Sequence, residues 1–131
     1  MSKMKYGEVE FYARTINCFE EDGVKIIGVG SGYSDPDAFV IISRFDEGSV
    51  DESIGIQTHL TDYEVPGAIK GLNLDGDFFT IYINDNDQGS LKASGIRIFL
   101  AEVSDKSSIA QLEKSILDIF SGSSAQIILN T

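Results

Sequence analysis

The sequence has a single cysteine and few positive charges, and each shortage narrows the classes of protein to which the chain can belong. One cysteine, Cys18, in 131 residues excludes an internal disulfide and a thiolate cluster, which is typical of a reducing compartment. No apolar run approaches the ~18 residues that a membrane-spanning helix needs. The lysines near the N-terminus precede no apolar stretch, so we expect no signal peptide and a cytoplasmic protein.

Positive charge is scarce, because the sequence has ten Lys and Arg residues and 21 Asp and Glu residues, which gives a net charge of −11. This balance excludes nucleic acid and anionic membranes as expected partners, because binding to either requires Lys and Arg against phosphate. The excess is concentrated: residues 20–64 hold eleven acids and two bases, a net charge of −9. Residues 1–19 hold two acids and three bases, and residues 65–131 hold eight acids and five bases.

Apolar residues make up 42 % of the chain, enough for a real core. There is no repeat and no Pro- or Gly-rich linker, so we expect a single domain over 1–131. Alternating or continuous apolar patterns predict strands over 8–19, 24–30, 38–45, 54–60, the two arms of a hairpin within 68–85, 95–103 and, as a final edge strand, 125–131. In the first of these, the apolar residues change parity between Ala13 and Ile16, which predicts a bulge.

The remaining periodic segment is helical. Ile109, Leu112 and Ile116 recur at helical spacing, which predicts an amphipathic helix over about 108–121. Ser108 and Gln111 suggest a capping box, and Gly122 suits a C-terminal cap. Short sequential connections favour antiparallel pairing. We therefore expect an α+β fold with one twisted antiparallel sheet of about seven strands and one C-terminal helix on one face.

Two predicted turns contain Asp-Gly. Asp22-Gly23 separates the first two strands, where Gly23 is free to take a positive φ. Asp75-Gly76 separates the arms of the later hairpin, and this dipeptide favours a type I′ turn. Along the second arm, Phe79, Ile81 and Ile83 should share one face.

The sequence contains no convincing catalytic, metal-binding or phosphate-binding motif. The one histidine, His59, lies on a predicted strand, and no GxSxG nucleophile motif is present. The segment 84–90 resembles a calcium loop only superficially, because a first ligand at Asn84 would require a glutamate where Gly95 stands. Glycines at 28–32 precede no helix pattern, so they predict no phosphate loop. We therefore predict a protein that is not an enzyme and has no metal, cofactor or catalytic residue.

Acidic connections are the feature that remains. Fixed carboxylates can dock on a basic partner and accelerate association, and aromatic side chains commonly anchor such contacts. The predicted partner-binding residues are the acids and aromatics of these connections: Tyr33, Asp35, Asp37, Phe45, Asp46, Glu47, Asp51, Glu52, Asp62, Tyr63 and Glu64. The alternative interpretation is that the charge serves solubility alone.

Four stretches carry a resemblance to a known family: DPDAFVIISR, IGIQTHL, PGAIKGLNLDGDFFTIYI and LEKSILDIF, within residues 8–121. Together they resemble the Immunity protein 10 family of bacterial polymorphic-toxin systems. The resemblance implies a non-enzymatic cytosolic antidote that binds a cognate toxin domain and blocks it. A nuclease is the expected toxin, because its substrate groove must be basic.

Two other interpretations stay open at this point. An acidic chaperone or adaptor for a secreted effector would have similar length and charge, although those chaperones open with a helix and this chain opens with strand patterns. An enzyme or metal-dependent module would have to use His59 with the aspartate clusters.

Overall fold

The computed structural model describes residues 6–32, 37–45 and 48–130, which form an α+β fold with two five-stranded sheets. The strands are β1 (Glu8–Tyr12), β2 (Thr15–Glu21), β3 (Val24–Gly30), β4 (Phe39–Arg44), β5 (Ile54–Thr58), β6 (Val65–Pro66), β7 (Ile69–Asp75), β8 (Phe78–Ile83), β9 (Gly95–Phe99) and β10 (Gln126–Asn130). The helices are α1 (Val50–Ser53), α2 (Gln88–Leu91) and α3 (Ser107–Ile119), with a 3-10 turn at Asp85–Asp87.

Sheet B, with strand order β2-β3-β4-β5-β6, is antiparallel throughout and follows chain order. Its first hairpin closes at Asp22 and Gly23, both with positive φ, between the paired residues Glu21 and Val24. Two positive φ values in a two-residue loop are the signature of a type I′ turn. The positive φ expected at Gly23 is therefore confirmed.

Sheet A, with strand order β1-β9-β8-β7-β10, is mixed, because both of its outer pairs are parallel. The expectation of one antiparallel sheet of about seven strands was therefore wrong in strand number and arrangement. The chain leaves sheet A at Ala13 and Arg14, whose amides bond to Phe99 and Gly30 in different sheets. It returns after β6 through Gly67, which has a positive φ. Short connections predicted antiparallel pairing correctly wherever the chain stayed within one sheet.

The parity change in the first predicted strand marks a crossing between the two sheets, and not the predicted bulge within one long strand. Phe11 and Ala13 are buried on one parity, and Ile16 is buried on the other, with the sheet crossing between them. The bend converts one long strand into two strands of different sheets. Along β8, Phe79, Ile81 and Ile83 are buried as predicted, and Tyr82 on the opposite face is exposed.

Both sheets and α3 contribute to one hydrophobic core. Helix α3 contacts β2 and β3, and it buries Leu112, Ile116 and Ile119, so the predicted amphipathic helix is confirmed. Gly122 has the positive φ expected after a helix C-terminus. None of the helices in the described segments has the length and apolar character needed to cross a membrane.

Two local predictions were wrong. The capping box does not form, because Ser108 lies inside α3 and donates its hydroxyl to the Asp105 carbonyl; the Asp105 carboxylate instead accepts from the amide of Ser107. The β7–β8 turn is not type I′, since neither Gly76 nor Asp77 has a positive φ. There the Asp75 carboxylate accepts the amide of Asp77 and closes the turn.

Candidate functional site

The predicted partner-binding residues that the structure describes lie at two opposite ends of sheet B or on its outer face. The connection between β4 and β5 lies beside the C-terminus of α3, and we call this the α3 end. The β3–β4 and β5–β6 connections lie at the other end, which we call the His59 end. Strand β5 separates the two ends by four residue steps of about 3.3 Å, or about 13 Å. The described residues of the set therefore do not form one continuous surface.

Four of the predicted residues lie outside the described part of the chain: Tyr33, Asp35, Asp46 and Glu47. The other seven are distributed between the two ends and the face of sheet B.

At the α3 end, Phe45 and Glu52 are exposed. Ser49 caps the short helix α1 by accepting the Glu52 amide, and the Phe45 amide bonds to the Ser53 carbonyl. These bonds hold the base of the connection, so Phe45 and Glu52 project from a fixed backbone.

Asp51 has a structural contact at the same end. Its carboxylate accepts the backbone amide of Ser124 at 2.8 Å and the Ser124 hydroxyl at 2.6 Å. Hydrogen bonds to the charged form of a carboxyl group favour its ionisation. The Ser124 hydroxyl makes the larger contribution and the Ser124 amide the smaller one, and together they lower the pKa of Asp51. Asp51 therefore ties α1 to the segment before β10 rather than standing free for a partner.

At the His59 end, Asp37, Asp62 and Tyr63 are exposed. Tyr63 leaves 67 % of its surface exposed, the largest fraction among the exposed large hydrophobic side chains of the described residues. Burying such a ring in a partner removes much apolar surface from water, and Asp62 beside it carries negative charge.

The turn at residues 58–61, before Tyr63, is held by three amide hydrogen bonds and by a fourth from the Thr61 hydroxyl to the Thr58 carbonyl at 3.2 Å. The Thr58 amide bonds to the Thr61 hydroxyl at 3.1 Å, the Leu60 amide to the Thr58 hydroxyl at 3.0 Å, and the Thr61 amide to the Thr58 carbonyl at 3.1 Å. His59 Nδ1 accepts the Phe39 amide at 3.2 Å and ties this turn to β4. The exposed tyrosine therefore follows an ordered turn by two residues, and this restraint on the chain before it reduces the entropy lost on binding.

Glu64 is next to Tyr63 in sequence but lies on the outer face of sheet B. Its Oε2 accepts the Ser43 hydroxyl at 2.6 Å, and its side chain covers Gly55. Any side chain at position 55 would overlap Glu64. The glycine in the middle of β5 is what permits this arrangement.

The same outer face carries a feature that the sequence analysis missed. Gly28 and Gly30 on β3 form the floor of a groove of about 320 Å³ between Asn17 on β2 and Ile41 on β4. Phe19 on the same face is 48 % exposed. The available signal was the spacing of the two glycines, because residues two apart in a strand point to the same side of the sheet.

Cys18 lies beneath α3 and beside Ser115. Burial raises the pKa of its thiol, and the hydrogen bond with Ser115 offsets this only in part. A raised pKa leaves less thiolate at neutral pH, so the environment disfavours a nucleophilic role.

The segment after β8, which superficially resembles a calcium loop in sequence, is largely helical. Asn84 donates its side-chain amide to the Gly67 carbonyl at 2.9 Å, and the 3-10 turn and α2 follow. Across residues 6–32, 37–45 and 48–130, no group of three or more His, Cys, Asp or Glu side chains is arranged to hold a metal ion.

No family model matches this chain, and no curated protein matches it either. Function is therefore inferred from the surface geometry and from the resemblance carried by the sequence motifs.

Proposed function

We propose that this chain is an immunity protein that binds a cognate bacterial toxin domain and covers its basic substrate-binding surface. A nuclease is the toxin class that fits best, because a groove for nucleic acid must carry positive charge. The proposed site of action is the cytoplasm, where such a toxin meets its substrate. The sequence resemblance and the net charge of −11 support this proposal.

One observation carries the proposal: Tyr63 is 67 % exposed two residues after an ordered turn, its sequence neighbour Asp62 is exposed, and the exposed Asp37 lies at the same end of sheet B. An aromatic anchor with adjacent acids is complementary to a pocket rimmed by Lys and Arg. The acids accelerate encounter by long-range attraction, and the buried ring slows dissociation.

Inhibition in this scheme is occlusion. Carboxylates at the His59 end take the place of phosphates in the toxin groove, and Tyr63 fills an adjoining pocket. No chemical step is required of the immunity protein, and His59 Nδ1 accepts the Phe39 amide, which ties the turn to β4.

The test uses the toxin domain encoded beside this gene, with association and dissociation followed by stopped-flow and surface plasmon resonance. Tyr63→Ala should raise the dissociation constant about 30-fold or more, mainly through faster dissociation. Asp62→Asn should slow association at low salt and make the rate less dependent on salt.

Two matched controls test whether the loss of binding is specific to the His59 end or follows from removing any exposed tyrosine or acid. Tyr12→Ala removes another exposed tyrosine, on sheet A, and Glu102→Gln removes an exposed acid on the turn after β9. Both should bind within about twofold of the original protein, as surface changes outside an interface usually do. Unchanged binding by Tyr63→Ala would exclude the His59 end, and absence of a stoichiometric complex would exclude the immunity function.

The α3 end is tested separately with Phe45→Ala and Glu52→Gln. Asp51 is left intact in these variants, because its loss would break the contact with Ser124 and alter the surface indirectly. Weaker binding in this pair with no effect of Tyr63→Ala would move the contact to the α3 end.

A further inference from the structure

The four edge strands of the two sheets differ in how they discourage pairing with another chain. An exposed edge presents unpaired amides and carbonyls, and natural sheets protect such edges with charge, proline or shortness. Strand β1 carries Glu8 and Glu10, and β2 ends in Glu20 and Glu21. Strand β6 has two residues, one of them Pro66.

Strand β10 has none of these protections. Its sequence, QIILN, contains no charge and no proline, in a chain of which 24 % is charged. It lies at the edge of sheet A with β7 as its single strand neighbour in the described residues. Gln126, Ile128 and Asn130 are exposed, and Ile128 leaves 42 % of its surface in contact with solvent.

The side chains of β10 are also arranged symmetrically about Ile128. In an antiparallel pair of two identical strands centred on that residue, Ile128 lies opposite its own copy. Gln126 then lies opposite the partner's Asn130, so an amide faces an amide. Ile127 lies opposite the partner's Leu129, so an apolar side chain faces an apolar one. Cross-strand pairs of matching chemistry are the unit that stabilises a sheet.

We propose that this protein forms a two-fold symmetric homodimer by antiparallel pairing of β10 with the β10 strand of a second copy. The two A sheets then join into one ten-stranded sheet. Each copy has a net charge of −11, so close approach through most of the surface is repulsive. The uncharged strand brings the copies together where their repulsion is least. This dimer is independent of the proposed immunity function, because β10 belongs to sheet A and the His59 end to sheet B.

The test is sedimentation equilibrium of the full chain from micromolar to submillimolar concentration. The original protein should show a monomer–dimer equilibrium. Ile128→Lys should be monomeric across this concentration range, because like charges then lie opposite each other at the symmetry axis. Ile128→Glu should behave in the same way. An equimolar mixture of the two variants should recover a dimer, since opposite charges then meet.

Leu117→Lys is the matched control, because Leu117 is an exposed apolar residue on α3 and the substitution changes the net charge identically. It should dimerise like the original protein. Circular dichroism checks that each variant is folded. If the position 128 variants do not fold, hydrogen exchange of the original protein tests the dimer instead. The β10 amides should then exchange more slowly as the protein concentration rises.

A monomer at every concentration would overturn the proposal, as would a dimer that survives Ile128→Lys. Failure of the mixed variants to pair, or loss of the dimer in Leu117→Lys, would overturn the register centred on Ile128 and with it the proposed interface.

Discussion

The Glu64 carboxylate lies across Gly55 and accepts a 2.6 Å hydrogen bond from the Ser43 hydroxyl. Gly55→Ala places a methyl group where the Glu64 side chain packs, so Glu64 or the strand must move. We expect the free energy of unfolding to fall by about 1–3 kcal/mol, a typical cost of overpacking. Urea denaturation followed by circular dichroism measures this change.

The matched experiment repeats the substitution in a Glu64→Ala background, where the obstructing side chain is gone. There Gly55→Ala should cost much less, and the difference between the two costs is the coupling between positions 55 and 64. Equal costs in both backgrounds would show that Glu64 does not occupy this space.

Arg44 binds the C-terminus of α3. Its Nη1 donates to the carbonyls of Ile119 at 2.9 Å and Ser121 at 3.0 Å, which would otherwise lack helical partners. Arg44→Met should lower the free energy of unfolding by about 1–2 kcal/mol, since it removes charge-assisted hydrogen bonds while keeping much of the side-chain volume. Arg14→Met, at an exposed arginine, is the control and should change it by less than about 0.5 kcal/mol. A similar loss in both variants would contradict the capping role.

The two Asp-Gly dipeptides should respond differently to the same substitution. Gly23 has φ +81°, so Gly23→Ala should cost about 1–2 kcal/mol of unfolding free energy, the penalty for an L-residue in the left-handed region. Gly76 lacks a positive φ and has open space around it, so Gly76→Ala should change stability by less than about 0.5 kcal/mol. Thermal and urea unfolding of the pair measure both values. An equal cost would contradict the assignment of the type I′ turn to residues 22 and 23.

Stability should depend on pH through Asp51. Hydrogen bonds from Ser124 lower the pKa of Asp51 below its ordinary value of 3.8 in the folded protein. A lowered pKa stabilises the fold above pH 3.8, and that contribution is lost as the pH falls through the lowered value. Ser124→Ala should therefore be less stable than the original protein at neutral pH, and the difference should shrink below pH 3.8.

Carboxyl NMR titration checks the same contact directly. The pKa of Asp51 should rise toward 3.8 in Ser124→Ala and stay lowered in Ser121→Ala, which removes an exposed hydroxyl three residues earlier in the sequence. An unchanged Asp51 titration in Ser124→Ala would show that another group sets its pKa.

Local patterns predicted most elements of this fold but not the way they assemble. The alternation in β8 and the helical spacing in α3 are properties of neighbouring residues, and both were confirmed. The division into two sheets depends on β1 pairing with β9 and β7 with β10, which are contacts between distant segments. Nothing within residues 8–12 specifies a parallel partner near residue 96, so the single-sheet expectation was wrong.

The candidate site was predictable by residue type but not by position. Sequence proximity placed Asp62, Tyr63 and Glu64 in one acidic group, and the fold separates Glu64 from the other two because its side chain turns onto the sheet face. Asp51 matched the pattern of an exposed acid, yet Ser124, 73 residues later, binds it. Hydrogen bonds between residues so distant in sequence cannot be predicted from the local composition around either residue.

The path of the chain between the sheets has a consequence for synthesis on the ribosome. Sheet B is a contiguous meander over residues 15–66, so its strands can pair in the order in which they emerge. Strand β1 can pair with β9 only after β9 has been synthesised. Val9 pairs with Ile96, which is 96 − 9 = 87 residues later in the chain. At about 5–20 residues per second, that interval is roughly 4–17 s. The N-terminal strand therefore spends seconds without its native neighbour, during which Glu8 and Glu10 keep it soluble and discourage incorrect pairing.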